Sequence, residues 1–137
     1  MILVDTGPLV ALFNPKDNYH SRCLSVLKTI REPLLSTVCV LTEAFHLLTP
    51  GSKAALALGA FVQKKGITIC SLDDESLKIA LLLMEKYADN PMDLADASLV
   101  AVAQMLDVQR IFTIDRNDFL TYRIASGYGF KSFELVN

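Results

Sequence analysis

Apolar positions along the chain fall into two rhythms: short runs rich in Ile, Leu and Val, and longer segments with helical period. Ile2-Leu3-Val4 predicts a buried strand ending at Asp5. Pro8 to Phe13 predicts a short helix, with Thr6 as its cap and Pro8 suited to its first turn. Asn14-Pro15-Lys16-Asp17 is turn chemistry. From His20 to Ile30, Cys23, Leu24, Leu27 and Ile30 share one helical face. Leu34 to Thr37 predicts a second strand. Val38 to Leu48 predicts a helix stopped by Pro50-Gly51, and Ser52 to Lys64 an Ala- and Leu-rich helix closed by Gly66. Ile67 to Cys70 predicts a third strand. A helix capped by Ser71 or Asp73 then runs to about Tyr87, a loop spans Ala88 to Pro91, and Asp93 to Leu106 is helical. Ile111 to Ile114 predicts a fourth strand, Arg116 to Thr121 a loop or short helix, and Ser132 to Val136 a last strand.

Strands separated by helices of about ten or more residues need crossover connections, and hence a mainly parallel sheet. Short strands that are nearly all apolar belong to a sheet covered on both faces. The expected architecture is α/β: a single three-layer domain over residues 1–137, with a central parallel sheet flanked by helices. At 137 residues, 52% of them hydrophobic, the chain has material for one sizeable core. No apolar stretch approaches the roughly 18 residues needed to span a bilayer. Ile2 to Val4 has no basic stretch before it, unlike a secretory signal, so a cytoplasmic protein away from membranes is expected.

Cys23, Cys39 and Cys70 are an odd set at irregular spacing, which fits reduced thiols in apolar segments better than disulfides or a zinc site. With only His20 and His46 available, no thiol or hydroxyl nucleophile has a recognisable partner. Net charge is −2. That is not the footprint of a protein gripping nucleic acid mainly through a basic surface, although a bound metal can meet phosphate charge.

In open parallel sheets, ligands bind beyond the carboxyl ends of the strands. Asp5 and Asp115 each follow a predicted strand and should reach that one edge, though an Asp after a strand also serves as turn former or cap. Glu43 shares a helix side with Val40 and Leu47, where an ionised carboxylate is costly unless a cation, donors or water meet it. Asp96, with Leu99 and Ala103 beyond it, crowns the core-facing side of its helix. Asp93 lies one turn earlier, where the helix dipole alone would favour it. Carboxylates gathered this closely repel unless a cation is present. A hard divalent ion with oxygen ligands resolves the conflict, and metal activation of water is then the available hydrolytic chemistry.

Four segments carry a family resemblance. Val4-Asp5-Thr6-Gly7-Pro8-Leu9-Val10-Ala11-Leu12 resembles the opening of PIN domains, an apolar strand ending in Asp then Thr or Ser. Glu43 resembles the second acidic residue of that family. Leu94-Ala95-Asp96-Ala97-Ser98-Leu99-Val100-Ala101 is similar to the third motif, and Ile111-Phe112-Thr113-Ile114-Asp115-Arg116-Asn117-Asp118-Phe119 to the fourth. The set is in order and spans nearly the whole chain. The nearest group is the compact PIN proteins, including VapC-type toxins; Asn14 to Asp17 with His20 also looks like their first connection.

The resemblance implies a Mg2+- or Mn2+-dependent ribonuclease leaving a 5′-phosphate, and commonly a homodimer. It implies metal-site roles for Asp5, Glu43, Asp96 and Asp115, with Asp5 and Asp96 the best direct ligands. Thr6 and Thr113 would orient carboxylates or waters. Asp93 and Asp118 are further acidic residues near motif positions. Arg116, Arg123, Lys16 and Lys131 are candidates for contacting the RNA backbone. The segment Ala54 to Val62, apolar nearly all round, suits a core helix or burial by a second subunit or partner. For a toxin, a small antitoxin would cover a groove here and insert an Arg or acidic side chain at the metal site. A non-catalytic PIN-like module binding RNA or protein is the alternative, disfavoured because all four acidic positions are filled. A dehalogenase-type phosphatase needs a second Asp after Asp5-Thr6, and a receiver domain needs an Asp ending the third strand; neither is present.

Overall fold

Ile2, Leu3 and Val4 are wholly buried because their strand, β1 (Ile2–Val4), has a parallel neighbour on each side. The computed structural model describes residues 1–137. After β1 the chain forms α1 (Thr6–Phe13), α2 (His20–Thr29), β2 (Leu34–Thr37), α3 (Val38–Leu47), α4 (Lys53–Gln63) and β3 (Thr68–Cys70). Next come α5 (Asp74–Lys86), α6 (Leu94–Leu106), β4 (Arg110–Phe112), α7 (Arg116–Thr121), β5 (Arg123–Ser126), β6 (Gly129–Ser132) and β7 (Glu134–Val136). The central sheet has the order β3-β2-β1-β4-β7, and every pairing in it is parallel. This is the expected parallel sheet flanked by helices.

The strand order fixes where a ligand can go. From β1 the chain steps outward to β2 and β3, then returns to build β4 on the other side of β1. Right-handed crossovers place the connections of these two halves on opposite faces. Within the halves α1 packs on α2, α3 and α4, and α5 on α6, while α3 also meets α6. Beyond the carboxyl ends of β1 and β4 the two halves part, leaving the crevice characteristic of such sheets.

α6 is the central helix of its layer. Every residue from Ala97 to Ala103 is buried, and the small side chains Ala97, Ser98, Ala101 and Ala103 allow close approach of its neighbours. Ser98 donates its one hydroxyl proton to Ala95 O at 2.7 Å, so Thr37 is the donor in the buried Thr37–Ser98 contact of 2.7 Å. Thr37 also accepts from Val40 N at 3.2 Å, capping α3. One hydroxyl pair thus locks the end of β2, the start of α3 and the first turn of α6 together.

Several expectations need correction. The cap of α1 is Asp5, whose side chain accepts from Thr6 N, so Thr6 is the first helical residue rather than the cap. β4 ends at Phe112, whose carbonyl still accepts from Asp5 N at 3.0 Å; beyond it Thr113 leaves the ladder and the chain bends at Ile114. Leu47 does not share the buried side of Val40; it is 55% exposed, about 10 Å along the helix from Val40. α4 is apolar all round but not buried all round: Ala55 and Leu58 enter the core while Leu56 is 68% exposed. The last strand of the sheet is Glu134–Val136. Ser132 instead closes an antiparallel hairpin, β5–β6, that was not anticipated. Gly127 has φ +57 at the first position of its two-residue turn, the conformation glycine supplies in type II′ hairpins.

Gly7 is held by space rather than by backbone angle. A Cβ there would stand 2.6 Å from Ile114 Cγ1, so the start of α1 packs directly on the turn leading to Asp115. Gly7→Ala is expected to cost about 1–3 kcal/mol through overpacking, measured by urea unfolding. A loss under about 0.5 kcal/mol, within the range of an ordinary surface change, would show that Ile114 yields freely and that this contact does not position the turn.

Candidate active site

Each acidic side chain reaches the crevice by its own local logic. Asp5 follows β1 and caps α1: its Oδ1 accepts from Thr6 N at 2.8 Å and its Oδ2 from Thr113 Oγ1 at 2.9 Å. Thr113 in turn accepts from Asp115 N at 2.9 Å. A buried chain of contacts therefore joins the ends of β1 and β4. Asp115 caps α7, accepting from Asp118 N at 3.4 Å. Asp93 caps α6 by accepting from Asp96 N at 2.8 Å, which orients the first turn carrying Asp96. Asp96 Oδ2 accepts from the Tyr122 hydroxyl at 3.0 Å. Glu43 stands on α3, one turn beyond the buried Val40.

These residues line one cleft of about 400 Å3, walled by Asp5, Asp17, Glu43, Asp93, Asp96, Asp115 and Asp118 together with Thr6 and Leu47. No Lys, Arg or His is among its walls. The six acidic positions anticipated from sequence all reach it. Asp17 fulfils its expected turn role, its carboxylate accepting from Tyr19 N at 2.8 Å, yet it also faces the cleft. Tyr122 was missed as well. Its spacing of three from Phe119 marks a core position but does not reveal that its hydroxyl reaches Asp96.

The basic and histidine candidates divide. The Arg123 guanidinium donates to the carbonyls of Leu120, Thr121 and Tyr122 at 2.7–3.1 Å, closing the end of α7 as cations favour. Lys131 pairs with Asp107 at 2.9 Å. Both are therefore engaged within the chain. Arg116 is exposed beside Asp115. Lys16 lines a neighbouring groove of about 670 Å3 with Phe13, Ser52 and Lys53. Leu47 belongs to both the groove and the cleft, so the two adjoin. His20 Nδ1 lies 2.7 Å from Ala11 O, a structural contact between α1 and α2, and His46 is exposed. The cysteines are all free thiols.

Burial, with like charges behind it, weakens these acids and lifts them above the usual carboxylate range. Burial, reinforced by the charges of Asp115 and Glu43, pushes Asp5 up to about 6 against the opposing Thr6 and Thr113 hydrogen bonds. Burial and then the charges of Asp5 and Asp93 push Asp96 up to about 8, with the Tyr122 bond opposing. Asp118 rises to about 6 through burial and its contact with Asp115. Glu43 rises through burial and the charge of Asp93; the Thr6 hydroxyl is near enough to offset part of this without forming a hydrogen bond. Thr6 Oγ1 is in fact the one buried side-chain polar atom without a partner in the protein. An orphaned hydroxyl among unneutralised carboxylates is an oxygen-only donor set that fits a hard divalent cation and no soft one. No three of the acidic side chains are drawn together into a complete coordination group.

A doubly wound parallel sheet with an acidic cleft at its switch point defines the class. The PIN domain family model matches residues 2–124, and the chain belongs to that family. Ribonuclease VapC26 of Mycobacterium tuberculosis is 24% identical over 128 residues, covering 92% of this chain and 95% of that protein. Among solved structures, M. tuberculosis VapC20, described as a sarcin-ricin loop cleaving toxin, superposes with a TM-score of 0.79 at 22% identity, covering 85% of this chain and 92% of that one. A toxin–antitoxin complex from Klebsiella pneumoniae gives 0.65 at 18% identity, covering 88% and 92%.

The raised carboxylates have a signed consequence. A carboxylate whose folded pKa is raised contributes stability at acid pH that is lost as pH climbs through the folded value. In EDTA, the thermal midpoint is therefore expected to fall as pH rises from about 4, the ordinary carboxylate value, through Asp5 near 6 to Asp96 near 8. Mg2+ should suppress that fall, since binding to the folded state offsets the repulsion. A midpoint that stays flat in EDTA, or that Mg2+ leaves unchanged at pH 8.5, would show that the cleft carries no such strain.

Proposed function

We propose that the chain is a Mg2+- or Mn2+-dependent endoribonuclease, the toxin of a type II toxin–antitoxin pair. The observation that carries this reading is the convergence of Asp5, Glu43, Asp96 and Asp115 on one cleft free of basic side chains, in a chain of the PIN family. The VapC26 relative, named a ribonuclease, supports the reaction class. The Klebsiella toxin–antitoxin complex of the same fold supports an antitoxin partner.

Asp5 and Asp96 are assigned as direct metal ligands, with Glu43 and Asp115 binding directly or through water. Thr113 orients Asp5, and the unpartnered Thr6 hydroxyl is placed for a ligand or its water. Asp93 and Asp118 add negative charge, and no rank among the ligands is assigned to them. A bound divalent cation supplies Lewis-acid chemistry, polarising the phosphoryl group and acidifying water. The reaction is hydrolysis: water oxygen bonds to phosphorus, the bond to O3′ breaks, and O3′ takes the proton, leaving a 5′-phosphate. Lys16 and Lys53, in the groove adjoining the cleft, with Arg116 at its rim, hold the RNA backbone. The exposed side of α4, carrying Leu56, is the surface for a second subunit or an antitoxin. A native pull-down that recovers no small partner would count against the toxin assignment alone.

The test is cleavage of a mixed RNA pool by purified protein with Mg2+, with EDTA, and with Asp96→Asn. Cutting is expected only with Mg2+, and Asp96→Asn should lose at least about 100-fold, the upper end of what removing even an outer partner of a metal ligand costs. No cutting of any RNA by protein that binds metal and carries no inhibitor would favour the binding-module reading instead. Lys16→Ala and Lys53→Ala should each weaken RNA binding and lower the salt slope by about 0.7 for single strands. An unchanged slope in both would move the RNA path elsewhere.

A further inference from the structure

We propose that Tyr122 is a positioning residue for the cleft: its hydroxyl holds Asp96 so that the carboxylate presents one oxygen, Oδ1, to a cation. The inference rests on the metal-dependent reading above and adds a residue outside the acidic set. Tyr122 has no solvent exposure, and its hydroxyl donates to Asp96 Oδ2 at 3.0 Å. Asp96 Oδ1 has no hydrogen-bond donor from the protein.

The tyrosine ring cannot easily swing away. Tyr87 and Phe119 meet it edge-on, each at 5.2 Å between centroids, and Phe119 is backed by Phe133 at 5.4 Å. The backbone is tied at both sides: Tyr122 N donates to Asp118 O at 3.0 Å, and Arg123 N donates to the Tyr87 hydroxyl at 3.0 Å. The Asp96 backbone is meanwhile fixed by the Asp93 cap. With main chain and one carboxylate oxygen both held, the remaining freedom of Asp96 is small, the condition under which an outer partner tunes a metal ligand.

Single-oxygen presentation selects among cations. Ca2+ takes six to eight oxygens and often chelates carboxylates through both, whereas Mg2+ demands near-octahedral geometry, and Mn2+ takes the same oxygen set. Asp5 is restrained in the same sense, each of its oxygens already accepting one hydrogen bond. Tyr122 is thus assigned to favour Mg2+ and Mn2+ over Ca2+ at this site.

The test is calorimetric binding of Mn2+ and of Ca2+ to wild-type, Tyr122→Phe and Tyr87→Phe proteins, with circular dichroism to confirm folding. Tyr122→Phe keeps the ring packing and loses only the hydroxyl. Its Mn2+ affinity should fall about 10-fold, its Ca2+ affinity clearly less, so that the preference for Mn2+ narrows. Tyr87→Phe should leave both within about twofold, since its hydroxyl touches Arg123 N and not Asp96. Unchanged Mn2+ affinity in Tyr122→Phe, or an equal fall for both ions, overturns the proposal. Wild-type protein that binds no Mn2+ overturns the metal-dependent reading and this inference with it. A measurement needing no variant stands beside these: Mn2+ titration of the wild type should perturb the near-ultraviolet tyrosine signal with the calorimetric midpoint. Silence in that band while Mn2+ binds overturns the assignment even if Tyr122→Phe fails to fold.

Discussion

The Asp5 carboxylate is the constraint on which the molecule turns. It is 6% exposed, at the carboxyl end of the most buried strand, and it serves three elements at once. It ends β1, caps α1 through Thr6 N, and accepts from Thr113 at the end of β4. A buried charge costs several kcal/mol unless donors or a cation meet it. Two hydrogen bonds meet part of the demand, and Asp115 and Glu43 add to it. The fold therefore keeps an unresolved electrostatic load at the one place where the strand order opens a crevice.

The surroundings keep that load from relaxing. Gly7 lets α1 lie against Ile114, so the turn carrying Asp115 cannot drift from Asp5. The Thr37–Ser98 pair binds the starts of α3 and α6, which carry Glu43 and Asp96. The close-packed small residues of α6 leave little room for Asp96 to retreat. Carboxylates free to move would separate and recover ordinary acidity. Held by a rigid sheet edge, they stay near one another and retain raised protonation. In the metal-dependent reading, stability given up at the cleft would be exchanged for preorganised affinity toward a cation, the trade expected of a functional site.

Much of this was legible from residue patterns because the signals were redundant. Asp5, Asp96 and Asp115 each stand at an element boundary where apolar rhythm changes, and a parallel sheet brings such boundaries to a common edge. Glu43 was found through Val40 alone, since Leu47, the other half of the supposed stripe, faces the cleft instead of the core. Periodicity registers that a side chain is apolar, not whether a helix has run past the layer it packs on. The β5–β6 hairpin was missed because, apart from the buried Ile124, its strand residues are only partly buried or exposed, leaving no clean alternation. Its turn depends on the φ of Gly127 alone. Asp17 and Tyr122 escaped for a different reason. Each has a satisfactory local explanation, turn former and core aromatic, and its second role exists only in three dimensions.

The electrostatics also bear on how a polyanion could use such a cleft. Walls of seven carboxylates repel phosphate, so affinity for nucleic acid cannot arise there without bound cations. The adjoining groove has the opposite character: Lys16 and Lys53 stand among uncharged residues, and Leu47 joins it to the cleft. In the ribonuclease reading, grip and chemistry are thus separated by one side chain. The groove supplies attraction to the backbone, and the cleft becomes tolerant of phosphate only when its own charge is met. A chain of net charge −2 can then act on RNA without a broadly basic surface. In that reading Asp5 and Asp96 would hold a cation whose charge lets the cleft accept the scissile phosphate, in addition to the Lewis-acid chemistry it would supply there.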